Sequence, residues 1–191
     1  MFKNLNQKLK QAKYISGFTL VELLIVMFIL GIVGTIAVSI FATTLRGGNK
    51  STSINEVRQS GNYIINQMGK MIAYSQEFEG VSADNLSYST DCANPASAYS
   101  YIKIKSFDDG ETIFSCAGNT IASNGASLIN PLKMTIPTAK CNFYCARSSK
   151  VVSPTINVLF TLQLVGSSLA ENQSTISFET SITPRNSPSG N

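Results

Sequence analysis

Gly17-Phe18-Thr19-Leu20-Val21-Glu22, followed by Leu23 to Leu45 without a single charged residue, decides how this chain is built. A mostly apolar run of that length is enough to cross a bilayer core, for which a helix needs about 20 residues. Its opening is what sets it apart. Glu22 stands at the very start of the run, and an ionisable group inside a membrane segment is costly and marks a functional position.

On the N-terminal side lie residues 1–17, which include Lys3, Lys8, Lys10 and Lys13 and no acid. An ordinary secretory signal places its apolar core before the cleavage site. Here the apolar core follows Gly17, so a cut after Gly17 would leave the hydrophobic helix on the mature protein. Lysines flanking a membrane segment stay cytoplasmic, which predicts that the C-terminal part is exported. The same lysines account for the charge. Of 15 basic and 11 acidic residues, those four precede Phe18, so the rest of the chain carries 11 of each. A neutral mature chain lacks the clustered cations that phosphate binding needs, and no nucleic-acid partner is expected.

The basic leader ending in Gly17, the following Phe18, Glu22 and the unbroken apolar run resemble the processing site of type IV pilins and type II secretion pseudopilins. The resemblance reaches to about Leu45. It implies a prepilin peptidase cutting between Gly17 and Phe18 on the cytoplasmic side, and N-methylation of the new amine on Phe18. For Glu22 it implies an assembly contact with the N-terminal amine of a neighbouring pilin subunit. An unpaired charge in that low-dielectric setting is expensive and a paired one much less so. Before assembly the chain would be stored in the inner membrane, and afterwards in a cell-surface filament or a pseudopilus. The implied fold is α+β, a long N-terminal helix packed on an antiparallel β-sheet. Many major pilins carry a proline midway through this helix. Here Ser39 stands near that place and no proline precedes Pro95, which favours a minor or initiating subunit. The closing Phe178-Glu-Thr-Ser-Ile-Thr-Pro-Arg-Asn186 is similar to the ends of minor pilin-like proteins.

Along the apolar run, Gly31, Gly34 and Ala37 put small residues on about one flank, where they permit close helix approach. Beyond it, Ile54, Val57, Ile64, Ile65, Met68, Met71 and Ile72 recur at helical spacing, with polar residues between them. The chain therefore divides into a leader at 1–17, a transmembrane or filament-core helix at 18–45 and an amphipathic continuation at 46–78. From about Glu79 alternation replaces helical periodicity, and residues 79–186 read as a disulfide-containing β domain. Tyr101–Phe107, Thr112–Cys116, Thr120–Ser123, Asn157–Val165 and Thr175–Ile182 read as strands. Asp108-Asp109-Gly110 and Asn124-Gly125 supply turns between them. Pro131 confines the apolar stretch Leu128–Ile136 to a sheet edge. Residues 187–191 read as a disordered tail.

Four cysteines, Cys92, Cys116, Cys141 and Cys145, all fall in the β domain. An even count in an oxidising compartment favours disulfides over a four-thiolate zinc site, whose paired close spacings are missing. Cys141–Cys145 with Cys92–Cys116 is the expected pairing, provided a turn or bulge crosses residues 142–144; the two crossed pairings remain open. Asp108, Asp109 and Glu111 could contribute oxygens to calcium, but three carboxylates around one glycine more often make a turn. Histidine is absent, which removes His-based triads and the common His-containing metal sites. Neither a catalytic site nor a cofactor is expected. The functional reading is a filament subunit, with a tip-displayed adhesin, a DNA-uptake minor pilin or the major pilin as alternatives.

Overall fold

A computed structural model describes residues 17–149, 152–165 and 174–186. The leader as far as Ser16, the 187–191 tail and most of the link between the last two strands lie outside the described residues. The first element, α1, is a helix from Leu20 to Ala73. The described residues form two compact units, one ending at Leu45 and the other beginning at Arg46.

In the first unit the apolar side chains from Leu20 to Leu45, Ala42 apart, are exposed around the helix. This stretch lies in a helix long and apolar enough to cross a membrane, and none of its apolar window is buried. Its hydroxyls are satisfied locally. Thr35 donates to the Ile32 carbonyl at 2.8 Å, Ser39 to Thr35 at 3.0 Å and Thr44 to Ile40 at 2.8 Å. Such back-bonding lets Ser and Thr sit in a helix surrounded by apolar matter without orphaned donors.

In the second unit α1 buries one stripe, Val57, Gly61, Ile64, Met68 and Ile72, at the spacing of a single helical face. Gly61 is required by the packing. A Cβ at this position would run into the Phe178 ring, which itself stacks on Phe160 at 5.2 Å between centroids. The helix end is tied down from the far end of the chain. Arg185 N–H donates to the Ala73 carbonyl at 2.9 Å, and its guanidinium lies 4.8 Å from the Tyr74 ring centre. That bond satisfies one of the carbonyls a helix C-terminus leaves open.

Among the described residues ten strands follow, divided between two antiparallel sheets. One joins β1 (Glu77–Ser82), β3 (Tyr101–Lys105), β4 (Glu111–Ala117), β5 (Thr120–Ser123) and β6 (Ala126–Ser127), in that order. The other runs β10 (Thr175–Ile182), β9 (Thr155–Leu164), β8 (Cys141–Ala146), β2 (Ala98–Tyr99), with β7 (Met134–Thr135) also on β9. Val57, Ile64, Met68 and Ile72 of α1 share one buried cluster with Ile102, Ile104 and Phe114 of the first sheet and Phe143, Val158, Phe160 and Leu162 of the second. The architecture is α+β, a long N-terminal helix packed with antiparallel sheets.

Four strands are absent from the sequence reading: β1, β8 and the two-residue β2 and β6. In β1 the register shifts between Phe78 and Gly80, and Gly80 takes φ +132°. The bulge spoils the alternation by which a strand is recognised. In β8 alternation is complete, since Cys141, Phe143 and Cys145 are buried while Asn142, Tyr144 and Ala146 are partly exposed. Polar and small residues on the outer face, and the expectation of a turn there, concealed it.

Candidate functional site

The motif residues occupy the start of α1. Gly17, Phe18 and Thr19 precede the helix, and all three are exposed. Glu22 N–H donates to Thr19 Oγ1 at 3.2 Å, and Leu23 N–H to the Thr19 carbonyl, also at 3.2 Å. Thr19 is therefore the N-cap, with Glu22 at the third helical position. Thr-x-x-Glu is the capping-box spacing, and Phe18 and Leu23 hold the two positions of a hydrophobic staple. Here a carboxylate also faces the positive end of the helix dipole. The sequence reading gave Thr19 no role, although Thr followed three residues later by Glu was signal enough to find the cap.

The geometry has chemical consequences. The Gly17–Phe18 peptide bond lies outside the helix, with its backbone free of intrahelical bonding. Glu22 is exposed at the head of a helix whose remaining residues to Leu45 carry no other charge. Farther along, a Cβ added at Gly31 or Gly34 meets nothing within 4 Å among the described residues, none of which demands glycine at either position.

The cysteines form a separate group in the second unit. The pairs are Cys92–Cys145, with Cα atoms 5.1 Å apart, and Cys116–Cys141, at 5.4 Å. This corrects the expected Cys141–Cys145 and Cys92–Cys116. The physical reason is β8. Residues 141–146 form a regular strand paired along their length with β9, so no turn brings Cys141 back to Cys145. Four extended residues separate such sulfurs by roughly 13 Å, beyond disulfide reach. Each instead takes a partner from elsewhere: Cys141 from β4 in the other sheet, Cys145 from the segment before β2.

The three carboxylates weighed as calcium ligands have other engagements. Asp109 pairs with Lys105 at 3.2 Å, Glu111 with Lys103 at 2.9 Å, and Asp108 accepts from Gly110 N–H at 3.2 Å. Lys103 also meets Glu79 at 2.9 Å. The hydrogen bonds that Lys103 donates to Glu79 first and to Glu111 second raise the pKa of its ammonium above the usual lysine value. Among the described residues no group of three or more Cys, Asp or Glu could hold a metal ion.

Residues 12–38 match the family described as the prokaryotic N-terminal methylation motif. This is the class III signal characteristic of type IV pilins and pseudopilins. It spans the cap, Glu22 and the first turns of the apolar helix, and it points to a family of structural subunits rather than enzymes. Neither a curated protein nor a solved structure matches the chain.

Proposed function

We propose that this protein is a structural subunit of a type IV pilus or pseudopilus, with a minor or initiating role. In this reading a prepilin peptidase hydrolyses the Gly17–Phe18 bond, the new Phe18 amine is methylated, and the chain waits in the inner membrane with residues 79–186 exported. Assembly then packs the apolar helix among those of other subunits, and Glu22 meets the N-terminal amine of a neighbour. The observation that carries this is Glu22 itself, an exposed carboxylate in the first turn of a helix whose residues from Leu20 to Leu45 are otherwise uncharged and almost all exposed. Capping accounts for a polar group at Thr19, but a carboxylate in an apolar medium still requires a cationic partner. The uncovered helix and the open flank at Gly31 and Gly34 support packing against other helices. The lack of a proline before Pro95 supports the minor role.

The test joins N-terminal mass analysis to assembly. Mature protein is expected to begin at a methylated Phe18, and Glu22→Ala should be processed yet missing from sheared filaments. A chain beginning at Met1 in every fraction would overturn the reading. Glu22→Ala entering filaments like the wild type would remove the pairing role alone, and dominance in the filament fraction would replace the minor role with the major one.

A further inference from the structure

The two disulfides are nested. Cys92–Cys145 spans a sequence separation of 53 and encloses Cys116–Cys141, which spans 25. Neither cysteine of the first pair is bonded to the nearest cysteine in the sequence. We propose that the chain is a substrate of a thiol–disulfide isomerase, a partner needed to convert sequential into nested pairs. This rests on the export of the β domain proposed above, with the part next to the membrane helix crossing first.

Order of arrival creates the problem. Cys92 and Cys116 reach the oxidising side before Cys141 and Cys145. The strands of the first sheet all lie between Glu77 and Ser127, so that sheet can pair up while β8 is still absent. The seat of Cys92 cannot form so early. The Cys92 carbonyl accepts from Arg147 N–H at 3.2 Å, and the adjoining β2 pairs with Phe143 and Tyr144 of β8. β8 in turn is paired with β9, which ends at Leu164. Until those residues arrive, nothing shields the Cys92 thiol from Cys116. Chain entropy offers no protection either, because joining Cys92 to Cys116 closes a loop of almost the same length as the native Cys116–Cys141 loop, and closure cost varies only with the logarithm of length.

Oxidation of the four thiols needs two protein disulfides as oxidants, each accepting two electrons and two protons. The rearrangement itself is redox-neutral. An isomerase thiolate attacks Cys92 Sγ of a Cys92–Cys116 bond, forming a mixed disulfide and releasing the Cys116 thiolate. That thiolate attacks Cys141 Sγ of Cys141–Cys145, forming Cys116–Cys141 and releasing the Cys145 thiolate. Cys145 then attacks the mixed disulfide at Cys92 Sγ, forming Cys92–Cys145 and returning the isomerase thiolate. The product resists reversal because Cys92 and Cys145 are buried, at 2% and 0% exposure.

The experiment expresses the full chain in two bacterial strains that both contain the exported dithiol oxidase, one with and one without the exported isomerase. Thiols are alkylated at harvest, and disulfides are mapped in unreduced digests by mass spectrometry. Without the isomerase, Cys92–Cys116 and Cys141–Cys145 should rise several-fold at the expense of the nested pairs. In the Cys116→Ser, Cys141→Ser double variant, Cys92–Cys145 should form equally in both strains. Should that variant be degraded, the wild-type comparison still decides. Equal native pairing of the wild type in both strains would overturn the proposal and leave export standing. Sequential pairs in the isomerase-containing strain would do the same. Four free thiols in both strains would overturn the proposal together with export.

Discussion

The two stretches of α1 share a backbone conformation but are written for different surroundings. From Leu20 to Leu45 apolar side chains go all the way round and almost all are exposed, whereas from Arg46 to Ala73 the buried ones, Val57, Ile64, Met68 and Ile72, keep to one stripe. A helix that is apolar on every side needs an apolar medium on every side, while an amphipathic one needs a single packed face. The contrast extends to glycine. Gly61 is fixed by the Phe178 ring, and Gly31 and Gly34 are fixed by nothing among the described residues. What looks like one long helix thus carries two sets of constraints, one internal to the fold and one that only a membrane or another molecule can satisfy.

Truncating the apolar side chains should separate the two most sharply. Ile64→Ala is expected to cost the second unit about 2–5 kcal/mol, the usual range for emptying a packed core site. Ile32→Ala should leave denaturant unfolding of that unit in detergent unchanged. Equal losses would mean that the uncovered stretch stabilises the fold after all. Reducing the disulfides is the next largest effect, about 2–4 kcal/mol for a bond of this kind. It too should register only in the unfolding of the second unit, with the helicity of residues 20–45 in detergent retained by circular dichroism.

Glycine substitution sharpens the comparison further. Gly61→Ala should destabilise by about 1–3 kcal/mol through overpacking against Phe178. Gly34→Ala should be neutral or slightly stabilising, since alanine is favoured over glycine in a helix by up to about 1 kcal/mol. If Gly34→Ala also impairs filament formation, the small flank is a contact between molecules. The smallest effect is alkaline. Lys103 titrates above the ordinary lysine value because Glu79 and Glu111 bind its charged form. Its contribution is therefore complete below the unfolded value of about 10.4 and is lost as pH rises through the folded one. Melting of the second unit should weaken in that range, and Lys103→Met should reduce the alkaline slope.

The helix was legible because its signals are long and repeated. The uncharged run to Leu45 and the stripe from Ile54 to Ile72 each persist over several turns. Strands β3, β4, β5, β9 and β10 were legible because alternation and turn residues agree, as at Asp108-Asp109-Gly110 and Asn124-Gly125. The rest depends on contacts remote in sequence. β1 is defined by a bulge facing Ser89 and by pairing with β3, and β2 is two residues held by β8. The disulfide pairing failed for the same reason. Which sulfur Cys145 meets is set by how two sheets come together, and spacing along the chain carries no record of that. At the helix start, by contrast, the cap was written locally as Thr19-x-x-Glu22 and needed only to be read.

The back-bonded hydroxyls of Thr35, Ser39, Thr43 and Thr44 have one more consequence. Each brings its hydrogen-bond partner with it, one turn away on the same helix. A segment whose polar side chains are solvated by its own backbone is portable between apolar media. It can leave lipid for a dry protein interior, or return, without needing a new partner at each hydroxyl. For residues 23–45 the exchange is one of like for like, and shape complementarity rather than polarity sets which environment wins. The group that cannot travel so freely is Glu22, a carboxylate that its own backbone cannot neutralise.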